Sequence, residues 1–253
     1  MESHQSHAAQ HHWETSPYPF ILVVGVFFAI PIAFAMFFQY HKGLMSALSL
    51  GVGVPFIVWG VAGWVNEGLA NTHKESGHAL TGLPIFIVSE ALIFLAMFVS
   101  YWVLRLSANV WPPPGSPEIG VAIPIGMTII LLSSSLTYHL GEMRLDADDK
   151  KGYANWVGVS ILLGMFFLGC SFYEYNRLIH EGFTFGTNAK SSAFYAITGF
   201  HASHVMIGLC MFTSILVPAM GGRVSHTYAK AAGYYWHFVD IVWLFVVSQI
   251  YLW

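Results

Sequence analysis

Charged residues are scarce in this sequence. Only 9% of its 253 residues are Asp, Glu, Lys or Arg, whereas a soluble globular domain carries roughly 25%. The formal net charge is -3 and the basic residues are scattered along the chain, so no basic cluster of the kind that binds nucleic acid is present. The composition therefore argues against an ordinary soluble domain, and nucleic acid is not an expected partner.

Cysteine and the common catalytic motifs are also rare or missing. The two cysteines, Cys170 and Cys210, lie apart in apolar runs, which excludes a disulfide framework and a CxxCH haem attachment. We expect both to be small buried hydrophobic side chains. The sequence has no phosphate-binding glycine motif and no nucleophile elbow. No catalytic residue and no metal site is therefore predicted in this chain.

Apolar residues take the place of the missing charge. The sequence is 56% hydrophobic and 16% aromatic, and its mean hydropathy is +0.60. A helix that crosses a bilayer needs about 20 mostly apolar residues. Seven stretches meet this length, at about 20–38, 44–65, 83–106, 121–140, 156–178, 193–217 and 232–252. They predict an integral membrane protein with seven spans.

The stretches between the spans support helices and set the predicted organisation. Long apolar runs without strict alternation favour helices over strands in lipid. The consecutive prolines of WPPPGSPE, 111–118, prevent helix formation there. The predicted fold is all-α, with no soluble domain. Its predicted parts are a polar tail at 1–17, helices one and two at 18–66, a loop at 67–82, and helices three to seven at 83–253.

The polar tail and the loops bear on the orientation of the chain. The tail lacks the positive start and the small-residue cleavage site of a signal peptide, so the first apolar segment is predicted to stay as an anchor. Its four histidines, at positions 4, 7, 11 and 12, could bind a metal, although a solvated tail is favoured. With the N-terminus inside, the inner loops hold six basic residues and the outer loops four, which favours this orientation.

Several ionisable residues fall at membrane depth. Such a group costs about 2.5 kcal/mol or more, so it is expected to face protein or a water-filled cavity. Glu90 has no basic residue one helical turn away. We expect Glu90 to be protonated or hydrogen-bonded to a histidine of the sixth helix. The sequence around Glu90 fits a structural role and a functional role equally. A helical register places Glu174 beside Arg177, which predicts a structural ion pair.

The histidines of the last two spans allow two interpretations. His201 and His204 stand three residues apart, and they could hold a metal only with ligands from other helices. Core histidines bonded to neighbouring helices are favoured. His237 and Asp240 share one face of the seventh span; they could relay a proton or bind a metal, but we expect them to lock this helix in the interior. The paired broken helices that mark a transporter are not found.

The order of five motifs resembles a known family. SEALIFLAMFVSYW, the WPPPG loop, EYNRLIHEGF, FYAITGFHASHVMIGL and YYWHFVDIVWLF follow one another as in subunit III of the haem-copper cytochrome c oxidases. The resemblance covers roughly two thirds of the chain, in helices three to seven. Third subunits of quinol oxidases are similar but have five helices, so the two additional N-terminal spans favour the cytochrome c type; a quinol oxidase subunit is the alternative.

The resemblance implies a supporting role without a redox centre in this chain. Haem and copper are expected in partner subunits, above all in the catalytic subunit I that reduces dioxygen and pumps protons. Subunit III is expected to support proton uptake and to stabilise subunit I. Helices one and two are expected to diverge from helices three to seven around a cleft filled by phospholipid. A bacterial cell membrane, or a mitochondrial inner membrane, is the expected location.

The resemblance also assigns residues. The family's buried polar positions match a set of six residues in this sequence: Glu90, Glu174, His201, His204, His237 and Asp240. The arginines that relatives often carry at the end of helix two are absent ahead of Glu67, and Lys230 stands where many relatives have an acid. The candidate lipid-binding residues are interfacial aromatic and charged side chains: Trp59, Trp64, Glu67, Arg223 and His226. An autonomous transporter and a metal-binding membrane enzyme are the remaining alternatives.

Overall fold

A computed structural model describes residues 16–70 and 78–253, and every regular element within these ranges is helical. The tail histidines at positions 4, 7, 11 and 12 lie outside the described residues. Seven helices in the described ranges are long and apolar enough to cross a membrane, which confirms the all-α fold with seven spans. They are α1 (Tyr18–Phe27, continued by π-helical turns at Phe28–Ile32 and Ala35–Gln39), α2 (Gly43–Ala70), α3 (His78–Leu106), α4 (Ala122–Asp146), α5 (Lys150–His180), α6 (Ala189–Met220) and α7 (His226–Val246, continued by a π-helical segment at Val247–Leu252).

The helices are longer than the apolar runs that predicted them. α2 continues to Ala70 and α3 begins at His78, so the predicted loop at 67–82 is too long at both ends. Backbone hydrogen bonding extends a helix beyond its apolar part when the flanking residues supply a cap. At the start of α6, Asn188 accepts a hydrogen bond from Ser191 N at 2.9 Å within a capping box. The proline-rich stretch 111–118 is not helical, as predicted.

The structure divides into two compact units between Ala70 and Asn71. In the first unit, α1 and α2 pack with their backbones in close contact. A Cβ atom added to Gly53 would lie 2.5 Å from Ala29 N, and one added to Gly25 would lie 2.7 Å from Ile57 N. Such short approaches need glycine, which is the usual device for tight packing of membrane helices.

Gly53→Ala is expected to loosen the packing of α1 against α2. The added methyl group would meet backbone atoms, which cannot rotate away, so overpacking of about 1–3 kcal/mol is expected. The measurement is thermal denaturation of the purified protein in detergent. Gly51 lies on the same helix with open space around it, so Gly51→Ala is the matched control. Equal melting temperatures for the two variants would contradict this packing.

The second unit is built around α7, the most buried of the candidate spans. Its core is aromatic. Trp236 of α7 is fully buried and its ring lies 4.8 Å from the ring of Phe212. Added Cβ atoms on Gly208 of α6 and Gly164 of α5 would approach the indole to 2.5 and 3.2 Å. The two glycines thus make room for one large side chain that joins α5, α6 and α7.

One sequence prediction about the surface is wrong. Cys170 is half-buried, but Cys210 is exposed on α6, so the two cysteines are not both core residues. A small apolar side chain is compatible with the hydrocarbon that surrounds a spanning helix, so hydropathy alone does not distinguish the two environments.

Candidate functional site

Glu90 and His204 form a hydrogen-bonded pair between α3 and α6. His204 Nε2 lies 3.1 Å from Glu90 Oε2, and the two side chains are 6% and 18% exposed respectively. Tyr235 of α7 donates from its hydroxyl to the backbone carbonyl of His204 at 3.3 Å. The sequence prediction of a bond from Glu90 to a histidine of the sixth helix is therefore confirmed, and the site joins three helices.

The second ring nitrogen of His204 determines which atoms carry protons. His204 Nδ1 lies 2.9 Å from the backbone oxygen of Phe200. A carbonyl oxygen only accepts hydrogen bonds, so Nδ1 must be the donor. A neutral imidazole then has only a lone pair on Nε2, and its bond to Glu90 requires one further proton. The pair therefore holds a shared proton, either on the carboxyl group or on an imidazolium.

Aromatic rings surround this pair. The centroid of the His204 ring lies 4.6 Å from that of Phe200 and 5.1 Å from that of Phe94. Phe238 of α7 follows at 6.4 Å. These rings offer few alternative hydrogen-bond partners, and an apolar environment strengthens a satisfied hydrogen bond. The geometry suits a stable contact between helices.

His201 lies one turn away in a different environment. It is 1% exposed, and neither ring nitrogen has a hydrogen-bond partner among the described residues. Its ring stacks on Trp243 at 5.1 Å and meets Phe167 edge-on at 5.8 Å. The predicted bond to a neighbouring helix is therefore confirmed for His204 and wrong for His201. Within the described ranges, no group of three or more His, Cys, Asp or Glu side chains is placed to hold a metal ion.

Glu174 has a different partner from the one predicted. Its Oε2 accepts a hydrogen bond from the Tyr251 hydroxyl at 2.7 Å, and Oε1 has no partner among the described residues. Arg177 lies 3.8 Å from Glu181 across one turn of α5. The predicted Glu174–Arg177 ion pair is therefore wrong, because Glu174 faces the interior, where the end of the chain packs against α5, while Arg177 pairs with an exposed acid.

Tyr251→Phe is expected to destabilise the second unit through Glu174. Removal of the hydroxyl leaves the 1% exposed Glu174 without its one hydrogen bond, at a cost of about 1–3 kcal/mol. Thermal denaturation in detergent measures the loss. Tyr173→Phe is the control, since this hydroxyl is on an exposed ring of the same helix as Glu174.

A double variant gives the sharper test of that contact. Glu174→Met combined with Tyr251→Phe removes both polar partners, and such paired replacements can be nearly neutral. We expect the double variant to regain most of the stability that Tyr251→Phe loses. A double variant less stable than either single variant would contradict the contact.

A second polar contact joins α4 to α7. The hydroxyl of Ser135 donates to Asp240 Oδ2, and its oxygen lies 3.0 Å from His237 Nδ1. Asp240 is buried, whereas the His237 side chain is 45% exposed and its Nδ1 lies 3.8 Å from Asp240 Oδ2. The expected interior position is correct for Asp240 and wrong for His237, because α3 to α6 cover the face of α7 that carries His237 only in part.

The candidate lipid-binding residues fall into the two units separately. In the first unit, Trp59 and Trp64 of α2 are exposed, and Glu67 accepts a hydrogen bond from the Ser16 hydroxyl at 2.5 Å. In the second unit, Arg223 and His226 are exposed at the turn between α6 and α7. Exposed aromatic and cationic groups at the ends of spans suit contact with lipid headgroups. Lipid binding by these residues remains a prediction.

The hydroxyl groups that complete these contacts were not among the residues predicted from the sequence. The Ser135 hydroxyl donates a hydrogen bond to Asp240, and the Tyr251 hydroxyl donates one to Glu174. A third example is the Tyr175 hydroxyl, 2.6 Å from Thr198 Oγ1. The one available signal was LLSSSLTYH at 131–139, where hydroxyl residues cluster inside an apolar span. Because such residues are common in membrane helices, the cluster alone did not identify a partner.

Comparisons with known proteins agree on one family. Residues 7–253 match the family model described as "Cytochrome c oxidase subunit III". The cytochrome c oxidase subunit 3 of Synechocystis sp. is 38% identical over 187 residues, which cover 71% of this chain and 79% of the relative. The subunit 3 of Thermostichus vulcanus is 34% identical over 186 residues, which cover 72% and 90%. That of Bacillus subtilis is 34% identical over 192 residues, which cover 70% and 87%.

Proposed function

Since this chain belongs to the cytochrome c oxidase subunit III family, we propose that it is a non-catalytic subunit of a respiratory, proton-pumping cytochrome c oxidase. In this role it binds the catalytic subunit I and the other oxidase subunits, supports proton uptake, and protects subunit I during turnover. Haem and copper belong to the partner subunits. The complex lies in a bacterial cell membrane or a mitochondrial inner membrane, with the N-terminus of this chain inside.

The observation that carries the proposal is the extent of the family match. The match runs from residue 7 to residue 253. It therefore includes α1 and α2 of the first unit as well as the five helices of the second unit, α3 to α7. The relatives named above are called cytochrome c oxidase subunits, which favours cytochrome c over quinol as the electron donor.

The internal contacts support a structural role for the polar residues. Glu90 bonds α3 to α6, Asp240 bonds α7 to α4, and Glu174 bonds α5 to the end of the chain. Each of these acids thus makes a hydrogen bond from its own helix to another helical segment. Polar groups with such partners stabilise one arrangement of helices in lipid, where no water can replace a missing partner.

Bound phospholipids form part of the same proposal. The candidate positions are Trp59, Trp64 and Glu67 on α2, and Arg223 with His226 at the α6–α7 turn. Aromatic side chains suit the headgroup region, and Arg223 supplies a charge that attracts lipid phosphate.

Purification from the native membrane tests the proposal. A tagged copy of this chain is isolated in mild detergent, and the eluate is examined for haem absorbance and for a haem-copper subunit by mass spectrometry. We expect both, together with oxidation of reduced cytochrome c. Isolation without a haem-copper subunit would contradict the proposal, and oxidation of quinol in place of cytochrome c would assign the complex to the quinol type.

A further inference from the structure

Two buried polar atoms on the inner face of α7 have no hydrogen-bond partner within the described ranges. They are Nε1 of Trp236 and Oδ1 of Asp240, in residues that are 0% and 5% exposed. Four positions separate these residues, so they lie one turn apart on the same face of the helix. Asp240 is near the middle of the span His226–Leu252, at a depth that bulk water does not reach. An unpaired polar atom is costly there, and both atoms require a partner.

Small hydroxyl side chains line the place where α4, α5 and α7 meet. α4 presents two neighbouring serines to the other two helices. Ser135 donates to Asp240 Oδ2 on α7, and Ser134 donates to the backbone oxygen of Ser160 on α5 at 3.0 Å. Ser134 and Ser160 are 0% exposed. Because Ser134 uses its only hydroxyl proton in that bond, its oxygen is left as an acceptor.

The indole of Trp236 turns its N–H toward the same place. Cε3 and Cζ3 of the indole face Gly208 of α6, whereas Cζ2 and Cη2 face Gly164 of α5. In an indole, Cζ2 is bonded to the carbon that carries Nε1. The N–H group therefore lies on the edge of the ring that faces α5, where Ser160 precedes Gly164 by one helical turn.

The hydrogen-bonding character of these atoms defines the molecule that satisfies them. Trp236 Nε1 can only donate, whereas Ser134 Oγ and an ionised Asp240 Oδ1 accept. A molecule with a lone pair and two protons meets all three requirements, and it must be small because the surrounding helices are closely packed. Water has this form. A protonated Oδ1 would donate instead, and the second lone pair of water would accept that bond, so the identification holds for either state of Asp240.

We propose that an internal water molecule is bound where α4, α5 and α7 meet, accepting from Trp236 Nε1 and donating to Asp240 Oδ1 and Ser134 Oγ. Three hydrogen bonds are typical of a buried water, and globular proteins hold about one such water per 27 residues. The water extends the contact between Ser135 and Asp240 to a further side chain of each helix. Both oxygens of Asp240 are then bonded inside the membrane. The inference concerns the second unit alone and does not rest on the proposed function.

An experimental structure of the intact complex, at a resolution that shows ordered water, tests the site directly. We expect density for one water within about 3.2 Å of Trp236 Nε1, Asp240 Oδ1 and Ser134 Oγ. A direct bond between Trp236 and Asp240 would overturn the proposal. So would a map that shows other buried waters in this chain and none among these three atoms.

An isosteric replacement of Trp236 tests the bond by its effect on stability. In 3-benzothienylalanine, sulfur replaces the indole N–H while the shape is nearly kept, so the donor is removed without a cavity. We expect the melting temperature of the complex to fall by a few degrees, because the water loses one bond. An N–H without any partner predicts the opposite sign, since its removal relieves an unsatisfied buried donor. An unchanged or raised melting temperature would therefore overturn the proposal.

Two other tryptophans calibrate this replacement. Trp243 is the positive control, because its Nε1 donates directly to Thr128 Oγ1 at 3.0 Å, and the same fall in melting temperature is expected there. Trp59 is the negative control, because it is 57% exposed, and no change is expected.

Two substitutions of Ser134 test the position of the water. Both remove the hydroxyl and its bond to Ser160, so the difference between them reports the water. Ser134→Ala leaves the space and is expected to keep the water density, whereas Ser134→Val fills the space and is expected to remove the density and to melt several degrees lower. Ser133→Val is the matched control, since the Ser133 hydroxyl bonds the Ile129 carbonyl on the outer side of α4. A Ser134→Val protein that keeps the water, or that melts with Ser134→Ala, would contradict the site.

Discussion

Trp236→Ala is expected to lower the free energy of unfolding of the second unit, α3 to α7, by about 3–5 kcal/mol. This is the usual cost of replacing a buried tryptophan by alanine. The indole is fully buried and lies against Phe212 at 4.8 Å. It fills the space that Gly164 and Gly208 leave open. Because backbone atoms line that space on α5 and α6, the helices cannot collapse onto an alanine without shifting, and a cavity remains.

The measurement is thermal denaturation of the purified protein in detergent. Tyr234→Ala is the matched control, because Tyr234 lies on α7 within one turn of Trp236 and is 56% exposed. We expect its melting temperature to stay close to that of the unmodified protein. A Trp236→Ala protein that melts with the control would show that the indole does not join the three helices.

Glu90→Leu is expected to have the second largest effect. Leucine leaves His204 Nε2 without a partner inside an aromatic environment, at a cost of about 1–3 kcal/mol. Glu90→Gln keeps a donor, since the amide N–H can replace the carboxylic acid O–H that holds the shared proton. We therefore expect Gln to preserve assembly with a loss below about 1 kcal/mol, a typical net value for one hydrogen bond.

The Leu and Gln variants are compared by thermal denaturation and by the yield of assembled complex. Glu118→Leu, in the exposed loop before α4, controls for the loss of a carboxyl group in itself. If Gln were as damaging as Leu, the pair would be a buried carboxylate and imidazolium, for which removal of one charge commonly costs about 3–5 kcal/mol.

The fold was largely predictable because a bilayer restricts the choices. The lengths of the apolar stretches predicted the seven spans, and the prolines at 112–114 predicted the non-helical segment before α4. The helix ends were less predictable, since α2 continues through the polar residues Asn66 and Glu67 to Ala70, and α3 begins at the polar residue His78. Hydropathy reports where a chain enters lipid, whereas a helix ends where its capping bonds are made.

The candidate site was predictable only for residues that are costly in lipid. Glu90 has no local partner, so a histidine of another helix was the expected solution, and His204 supplies it. The partner of Glu174 was predicted wrongly because helical spacing reports neighbours on one helix only, and Tyr251 comes from a distant part of the chain. The exposure of His237 likewise depends on how the other helices cover α7.

The most direct measurement of the central claim is oxygen consumption by the oxidase with and without this chain. The chain is removed from the purified complex by a stronger detergent, and the rate is followed over many turnovers. A supporting subunit predicts a similar initial rate, an unchanged haem and copper content, and a faster decline of activity than in the intact complex; re-addition of the chain slows the decline. Loss of haem or copper together with this chain, or an identical decline in both preparations, would contradict the account.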